Sequence, residues 1–357
     1  MKSKLKTMLG KEMIAIDIGS QSTQLVEGVK FKKGIVVKKA VSFETPKDTY
    51  ENGHIIDFNK VSNYLDSKLT EHKFKSNLPT VCTLESSNII TREISLPYTK
   101  PKDLRRSIEY EVGQYLPVEV NKYVVQYKLI EVFFERDVKK ARILIAALPR
   151  DIAEDYFNLV NSLHLKPQAL DIHSNAINQL FDPKFEINDG IHIQDKTLAL
   201  LDIGYNQLNV IIVKNGIFKF SRLLNIGIKD IDTNIMDALG INMEEATKRR
   251  NLIRDLRDNA DATEYGKTIK AAQDAVDSWN EAIQRIFRYY TSRSSENNIN
   301  MIYIYGGAVH ITGLNGYLKA FFNLPTYKIE KVNSVEFKND PGNISPFLNS
   351  IGAIMGR

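Results

Sequence analysis

Two short stretches hold the residues best suited to chemistry. "EMIAIDIGSQSTQLVEG" (12–28) runs an apolar strand into Asp17, turns on Gly19-Ser20-Gln21-Ser22 and leaves as a second strand. "KTLALLDIGYNQLNVIIVKNGIFKF" starts at Lys196 and does the same, with Asp202-Ile203-Gly204 at its turn, 185 residues beyond Asp17. Each copy reads strand, Asp-Ile-Gly, strand, a short Lys/Gly turn, then a third strand. A single such turn is compatible with a hairpin in which glycine supplies positive φ and the aspartate is a solvated charge. Two of them facing each other across a cleft would present backbone N–H groups and hydroxyls to phosphates. Asp17 and Asp202 would then hold Mg²⁺, largely through water. Late in the chain the strand "MIYIY" (301–305) runs into Gly306-Gly307. A glycine pair there lets the backbone approach a flat base, and the helix that follows favours anionic groups.

Other chemistries lack their residues. There is no Walker A sequence, no G-x-G-x-x-G and no G-x-S-x-G, and the six histidines are scattered. A lone cysteine, Cys82, excludes an internal disulfide and any multi-cysteine zinc site. No apolar run approaches the roughly 18–20 residues of a membrane span, and no signal-peptide core follows the basic start, so a cytoplasmic setting is expected. The net charge of +5 comes from interrupted clusters that read as solvated faces, not as a nucleic-acid surface. With 357 residues, 43% of them hydrophobic, two or three domains can each bury a core.

The elements that must position the turns follow from hydrophobic spacing. Three strands are predicted between Met13 and Ser42, a short helix at Val61–Leu69 and two strands within 80–97. Pro101-Lys102-Asp103 opens a helix with Leu104, Ile108, Val112 and Tyr115 at helical spacing, and Pro117 stops it. Strands at Tyr123–Phe134 and Arg142–Leu148 follow, then a helix with Ile152, Tyr156, Leu159, Val160 and Leu163 on one face. "LKPQALDI" returns as a strand. Residues 228–298 are nearly all helical, the last helix carrying Ile269, Ala272, Val276, Trp279, Ile286 and Tyr290 on one packing stripe. A helix around Leu314–Phe321 and the apolar helix of "SPFLNSIGAIM" close the chain.

The division expected is a basic tail at 1–12, a core lobe at 13–84 with the first hairpin, and an inserted α+β subdomain at 85–172. Residues 173–198 return to the first lobe, and 199–230 form a second core lobe with the second hairpin. A helical subdomain at 231–299 precedes the Gly-Gly segment of the second lobe at 300–335, and 336–357 pack back on the first lobe.

In order, Asp17-Ile18-Gly19-Ser20, Asp202-Ile203-Gly204 and Gly306-Gly307 resemble the phosphate-1, phosphate-2 and adenosine motifs of the actin/Hsp70/sugar-kinase superfamily. The middle of the chain is more specific. Glu109-x-Glu111-x-x-Gln114-Tyr115-Leu116-Pro117, followed by "LIAALPRDIAEDYFNLVNSLHLKPQALDIHSNAI" (144–177), looks very like the type IV pilus assembly PilM family, in the subdomain which that family shares in outline with the division protein FtsA. The resemblance implies an α/β fold, actin-like and two-lobed with a duplicated ribonuclease H-like core and an inserted FtsA/PilM-type subdomain. It implies ATP with Mg²⁺ at Asp17, Gly19, Ser20, Gln21 and Ser22 on one side and Asp202, Gly204, Arg250, Gly306 and Gly307 on the other, Asp17 and Asp202 serving the metal. It implies a cytoplasmic protein that grips the short cytoplasmic N-terminal peptide of a PilN-like bitopic membrane protein and is held at the inner membrane by that partner. The groove should involve the 85–172 unit and the strands before it. Other inner-membrane pilus proteins are further partners, and neither nucleic acid nor direct membrane insertion is implied.

The chain departs from the family pattern at four places. Gln24 stands where a lysine is usual, and Tyr205, Asn206, Gln207 and Leu208 follow Gly204 in place of small and hydroxyl residues. Gly227-Ile228 replaces Gly-Gly, and "EEATKRR" puts Thr247 and Arg250 where Glu-x-x-Lys is typical. Arg250 retains the ability to stack on adenine. Each lost contact is worth about 1–3 kcal/mol, so ATPase turnover is expected to be very slow at most. An FtsA-like filament former and a small-molecule kinase of the same superfamily are the alternative readings.

Overall fold

From Met13 to Ile18 every residue of the first strand is buried, with no alternation, as in a strand covered on both faces. Thr197–Ile203, Leu208–Lys214 and Met301–Tyr305 are buried almost as completely. Two sheets result in this computed structural model, which describes residues 10–115 and 119–357. Residues 1–9 of the basic tail, together with Leu116 and the helix stop assigned to Pro117, lie outside the described residues.

The first sheet has six strands in the order Lys166–Ile172, Pro79–Leu84, Lys11–Ile18, Ser22–Phe31, Gly34–Glu44 and Val335–Phe337. The second has five, in the order Ile217–Leu224, Leu208–Lys214, Thr197–Ile203, Met301–Tyr305 and Thr326–Lys328. In each, three consecutive strands form an antiparallel meander, and the repeat holds in register. Asp17 pairs with Gln24, and Asp202 with Asn209. The meander bulges between Glu27 and Gly28 in the first copy and between Ile212 and Val213 in the second. Every one of these second-copy positions is its first-copy counterpart displaced by the same 185 residues, so the duplication extends to the irregularity that twists the strands.

Helices cover these sheets for local reasons. Thr263 caps the long helix Glu264–Ser292 by accepting from the Gly266 N–H, and Asn242 caps Met243–Asn251 through the Glu245 N–H. The expected stripe from Ile269 to Tyr290 is buried in one cluster with Ala199, Leu201 and Ile304 of the second sheet. On the first sheet the C-terminal helix Leu348–Met355 packs against the meander and against the short helix His173–Asn178. A Cβ on Gly352 would collide with the carbonyl oxygen of Ala176. Because backbone meets backbone there, Gly352→Ala should cost about 1–3 kcal/mol, read from the urea midpoint; an unchanged midpoint would mean that the two helices separate freely.

The chain divides into two compact units. The first holds the residues up to Thr45, Val81–Thr83 and Asp171–Arg357; the second holds Pro46–Thr80 and Leu84–Leu170. Of the two strands predicted in 80–97, Pro79–Leu84 lies in the six-stranded sheet. Ile90–Pro97 instead lies in a separate three-stranded antiparallel sheet of the second unit, with Val138–Pro149 at its centre and Tyr123–Glu135 on the other side. Leu104 and Ile108 of the helix Pro101–Tyr115 pack on Ile94, Leu96, Ile143 and Ile145 of that sheet. The helix Phe58–Glu71, whose N-terminus is capped by Asp57, contacts Arg150–Ser162 within the same unit. Among the described residues no helix is long and apolar enough to cross a membrane.

Candidate functional site

The two Asp-Ile-Gly turns close identically. Gly19 N–H donates to the Ser22 carbonyl at 3.0 Å, and Gly204 N–H to the Gln207 carbonyl at 2.9 Å. The first turn is clamped from one side by Thr45, whose hydroxyl donates to the Gly19 carbonyl at 2.7 Å and whose N–H meets the Gln21 carbonyl at 2.9 Å. Ser20 is half-buried and Gln21 exposed. The Ser22 hydroxyl accepts from the Gln24 amide at 2.8 Å, and that amide also reaches Ser42 at 3.3 Å. The side chain replacing the usual lysine is thus turned onto its own hairpin.

In the second copy the backbone donors that follow are already committed. Ile228 and Lys229, at the start of the helix Ile228–Leu239, donate their N–H groups to the carbonyls of Gly204 and Tyr205 at 3.1 and 2.9 Å. A Cβ on Gly227 would collide with the Tyr205 carbonyl oxygen and lie 2.7 Å from that of Gly204, so this position has room for glycine alone. Asp230 accepts from the Gly227 N–H at 2.9 Å and from the Trp279 indole at 3.1 Å, locking the helix start. The Gln207 side chain donates to Asn225 at 3.4 Å.

Arg250 lies on a buried carboxylate. Its Nε donates to Asp232 Oδ1 at 2.6 Å, and Thr247 donates to Asp232 Oδ2 at 3.0 Å. Asp232 has no exposed surface and Arg250 is 10% exposed. Burial, reinforced by the Asp232 charge, raises the Tyr205 hydroxyl pKa beside them. The two residues that replace Glu-x-x-Lys are therefore bonded to the same internal acid.

Asp17 and Asp202 are brought to one side chain. His173 follows the strand Lys166–Ile172 and projects between them: its Nε2 is hydrogen-bonded to Asp17 Oδ1 at 2.9 Å and its Nδ1 lies 3.3 Å from Asp202 Oδ2, within ion-pair distance. Burial disfavours charge on the ring, but Asp17 and then Asp202 outweigh it and hold the imidazolium well above its usual pKa. Asn349, from the C-terminal helix, donates to Asp202 Oδ2 at 2.9 Å, and the Tyr305 hydroxyl donates to Asn349 Oδ1 at 3.3 Å. Gly306, at φ +86°, lies so close that a Cβ would stand 2.6 Å from Asp202 Oδ1; Gly307 faces Ile228. Burial pushes the Cys82 thiol well up, with the charge of Asp17 adding to it, so this sulfur is not a nucleophile.

The arrangement does not fit a directly held Mg²⁺. One oxygen of each carboxylate already meets a ring nitrogen, and among the described residues no group of three His, Cys, Asp or Glu side chains is placed to hold a metal ion. Sequence reasoning missed His173 and Asn349. A signal existed for the first: Asp171-Ile172-His173 is a third strand exit reading Asp-Ile, with the histidine in the place of glycine.

A model of the family described as type IV pilus assembly protein PilM matches residues 15–346. Among solved structures, a chain of a PilM-PilN type IV pilus biogenesis complex is similar with a TM-score of 0.79 at 16% identity, over 97% of this chain and 98% of that one. The ethanolamine utilization protein EutJ from Carboxydothermus hydrogenoformans gives 0.58 at 11% identity, over 98% and 90% of the two chains. MreB 5 of Spiroplasma citri, bound to AMPPNP, gives 0.53 at 11% identity, over 96% and 94%. The duplicated two-sheet core is the actin-like fold.

Proposed function

The chain belongs to the type IV pilus assembly protein PilM family, and from that premise we propose that it is an adaptor at the cytoplasmic face of the inner membrane, gripping the cytoplasmic N-terminal peptide of a PilN-like bitopic protein. What supports this is the reach of the likeness. The family match runs through the whole second compact unit, which the duplicated core does not itself need. That unit offers an extended peptide two sheet edges, Ile90–Pro97 and Tyr123–Glu135. Tyr127, Leu129 and Phe134 on the second of these are exposed apolar side chains of the kind that forms pockets beside main-chain bonds. Co-expression tests the reading. The full chain should co-purify with the PilN-like protein and lose it when the partner's cytoplasmic N-terminus is removed. Retention of the truncated partner would overturn the proposal.

A nucleotide in the duplicated core is the second half of the proposal, because MreB 5 of the same fold holds AMPPNP. Its phosphates would meet the turns at Asp17, Gly19, Ser20, Gln21 and Ser22 and at Asp202 and Gly204, with Gly306-Gly307 near the base. Arg250 would join only by leaving Asp232. ATP at a hundred times its dissociation constant should add about 2.7 kcal/mol of stability, visible as a melting shift that Gly306→Val removes. No shift would favour a nucleotide-free scaffold. Turnover should stay on the order of 10⁻³ per second, the level of an unassisted nucleotidase, because the Gln207 amide is engaged with Asn225. Phosphate release at several per second from pure protein would contradict this.

A further inference from the structure

We propose that His173 takes the place of a divalent cation between the two halves of the repeat, so that the paired carboxylates Asp17 and Asp202 are balanced from within the chain and take up no metal. The geometry suits a charged ring. Its two nitrogens lie 2.9 and 3.3 Å from carboxylate oxygens, and an imidazole carrying hydrogen on both can serve both carboxylates at once. The ring is placed by backbone: it sits at the first position of the helix His173–Asn178, directly after a strand of the first sheet.

The surroundings fix the acceptors as firmly as the donor. Asp202 Oδ2 receives the Asn349 amide as well as the ring, and the orientation of that amide is set by the Tyr305 hydroxyl on its other atom. Gly306 closes against Asp202 Oδ1. The three ionic side chains are nearly buried, with exposures of 16% for His173, 6% for Asp17 and 12% for Asp202. Two carboxylates from symmetry-related turns repel at this depth unless a cation joins them, and a metal ion or an imidazolium can do so. Here the chain supplies the cation. The triad therefore ties the first repeat to the second with no ligand present, and an anionic ligand reaching these turns would arrive without a metal partner. None of this depends on nucleotide binding.

Mn²⁺ titration followed by electron paramagnetic resonance tests the proposal on the full chain without nucleotide. Wild-type protein should leave the free-ion signal unchanged up to millimolar metal. Stoichiometric uptake by wild type that Asp17→Asn removes would overturn the proposal. His173→Glu, which puts a third carboxylate where the ring was, should bind Mn²⁺ at least roughly tenfold more tightly than wild type and melt at a higher temperature with Mn²⁺ than without. A folded His173→Glu protein indifferent to Mn²⁺ would also overturn it, since the place would then not be one for a cation. If that variant does not fold, the wild-type titration still decides between the two outcomes.

Discussion

His173→Ala should lower the unfolding free energy by about 3–5 kcal/mol, the cost of removing one partner from a buried ionic group. The loss arises because Asp17 and Asp202 stay nearly buried while the side chain that meets both of them disappears. His173→Gln should recover part of it: an amide still donates to one carboxylate but brings no charge. Combining His173→Ala with Asp17→Asn should cost clearly less than the sum of the two single changes, because neutralising one carboxylate relieves the repulsion that the first substitution exposes. Urea unfolding of these four variants beside wild type reads all of this. A loss below about 1 kcal/mol for His173→Ala would place the ring in the range of a surface pair and would contradict the account of the triad.

Asp232→Ala should be comparably severe, again about 3–5 kcal/mol. It leaves the guanidinium of Arg250 buried with no carboxylate, and Thr247 loses the acceptor of its hydroxyl. Asp232→Asn keeps the shape and an acceptor oxygen, so it should retain more stability than the alanine variant. If Arg250 can turn towards a nucleotide base once released, the asparagine variant should bind ATP more tightly than wild type even as its melting temperature falls. Stability and affinity moving down together would show that Arg250 contributes only to the fold.

What the sequence discloses depends on how far apart the cooperating residues lie. The duplicated hairpins are legible because each is built locally: an apolar strand, an aspartate, a glycine whose N–H closes the turn, and a returning strand. The helical stripe from Ile269 to Tyr290 is legible for the same reason, since one period governs one helix. His173 is 156 residues from Asp17, and Asn349 is 147 from Asp202; no local pattern joins them. Asp232 and Arg250 are closer, 18 apart, but they sit on successive helices whose crossing no periodicity reveals. Strand pairing follows the same logic. Pro79–Leu84 joins the six-stranded sheet, while Ile90–Pro97, next in sequence, belongs to the sheet of the second unit, a choice made by long-range burial and not by either strand's own residues.

The adaptor role is tested most directly by calorimetric titration of the full chain with a synthetic peptide copied from the cytoplasmic N-terminus of the PilN-like partner. Micromolar affinity or better is expected, about −8 kcal/mol, within reach of an added strand with two or three filled pockets. A peptide of the same composition in scrambled order should give no saturable heat, because main-chain bonding alone carries no side-chain register. No binding by the native peptide at millimolar concentration, or equal binding by the scrambled one, would contradict the claim that this chain captures its membrane partner by that segment.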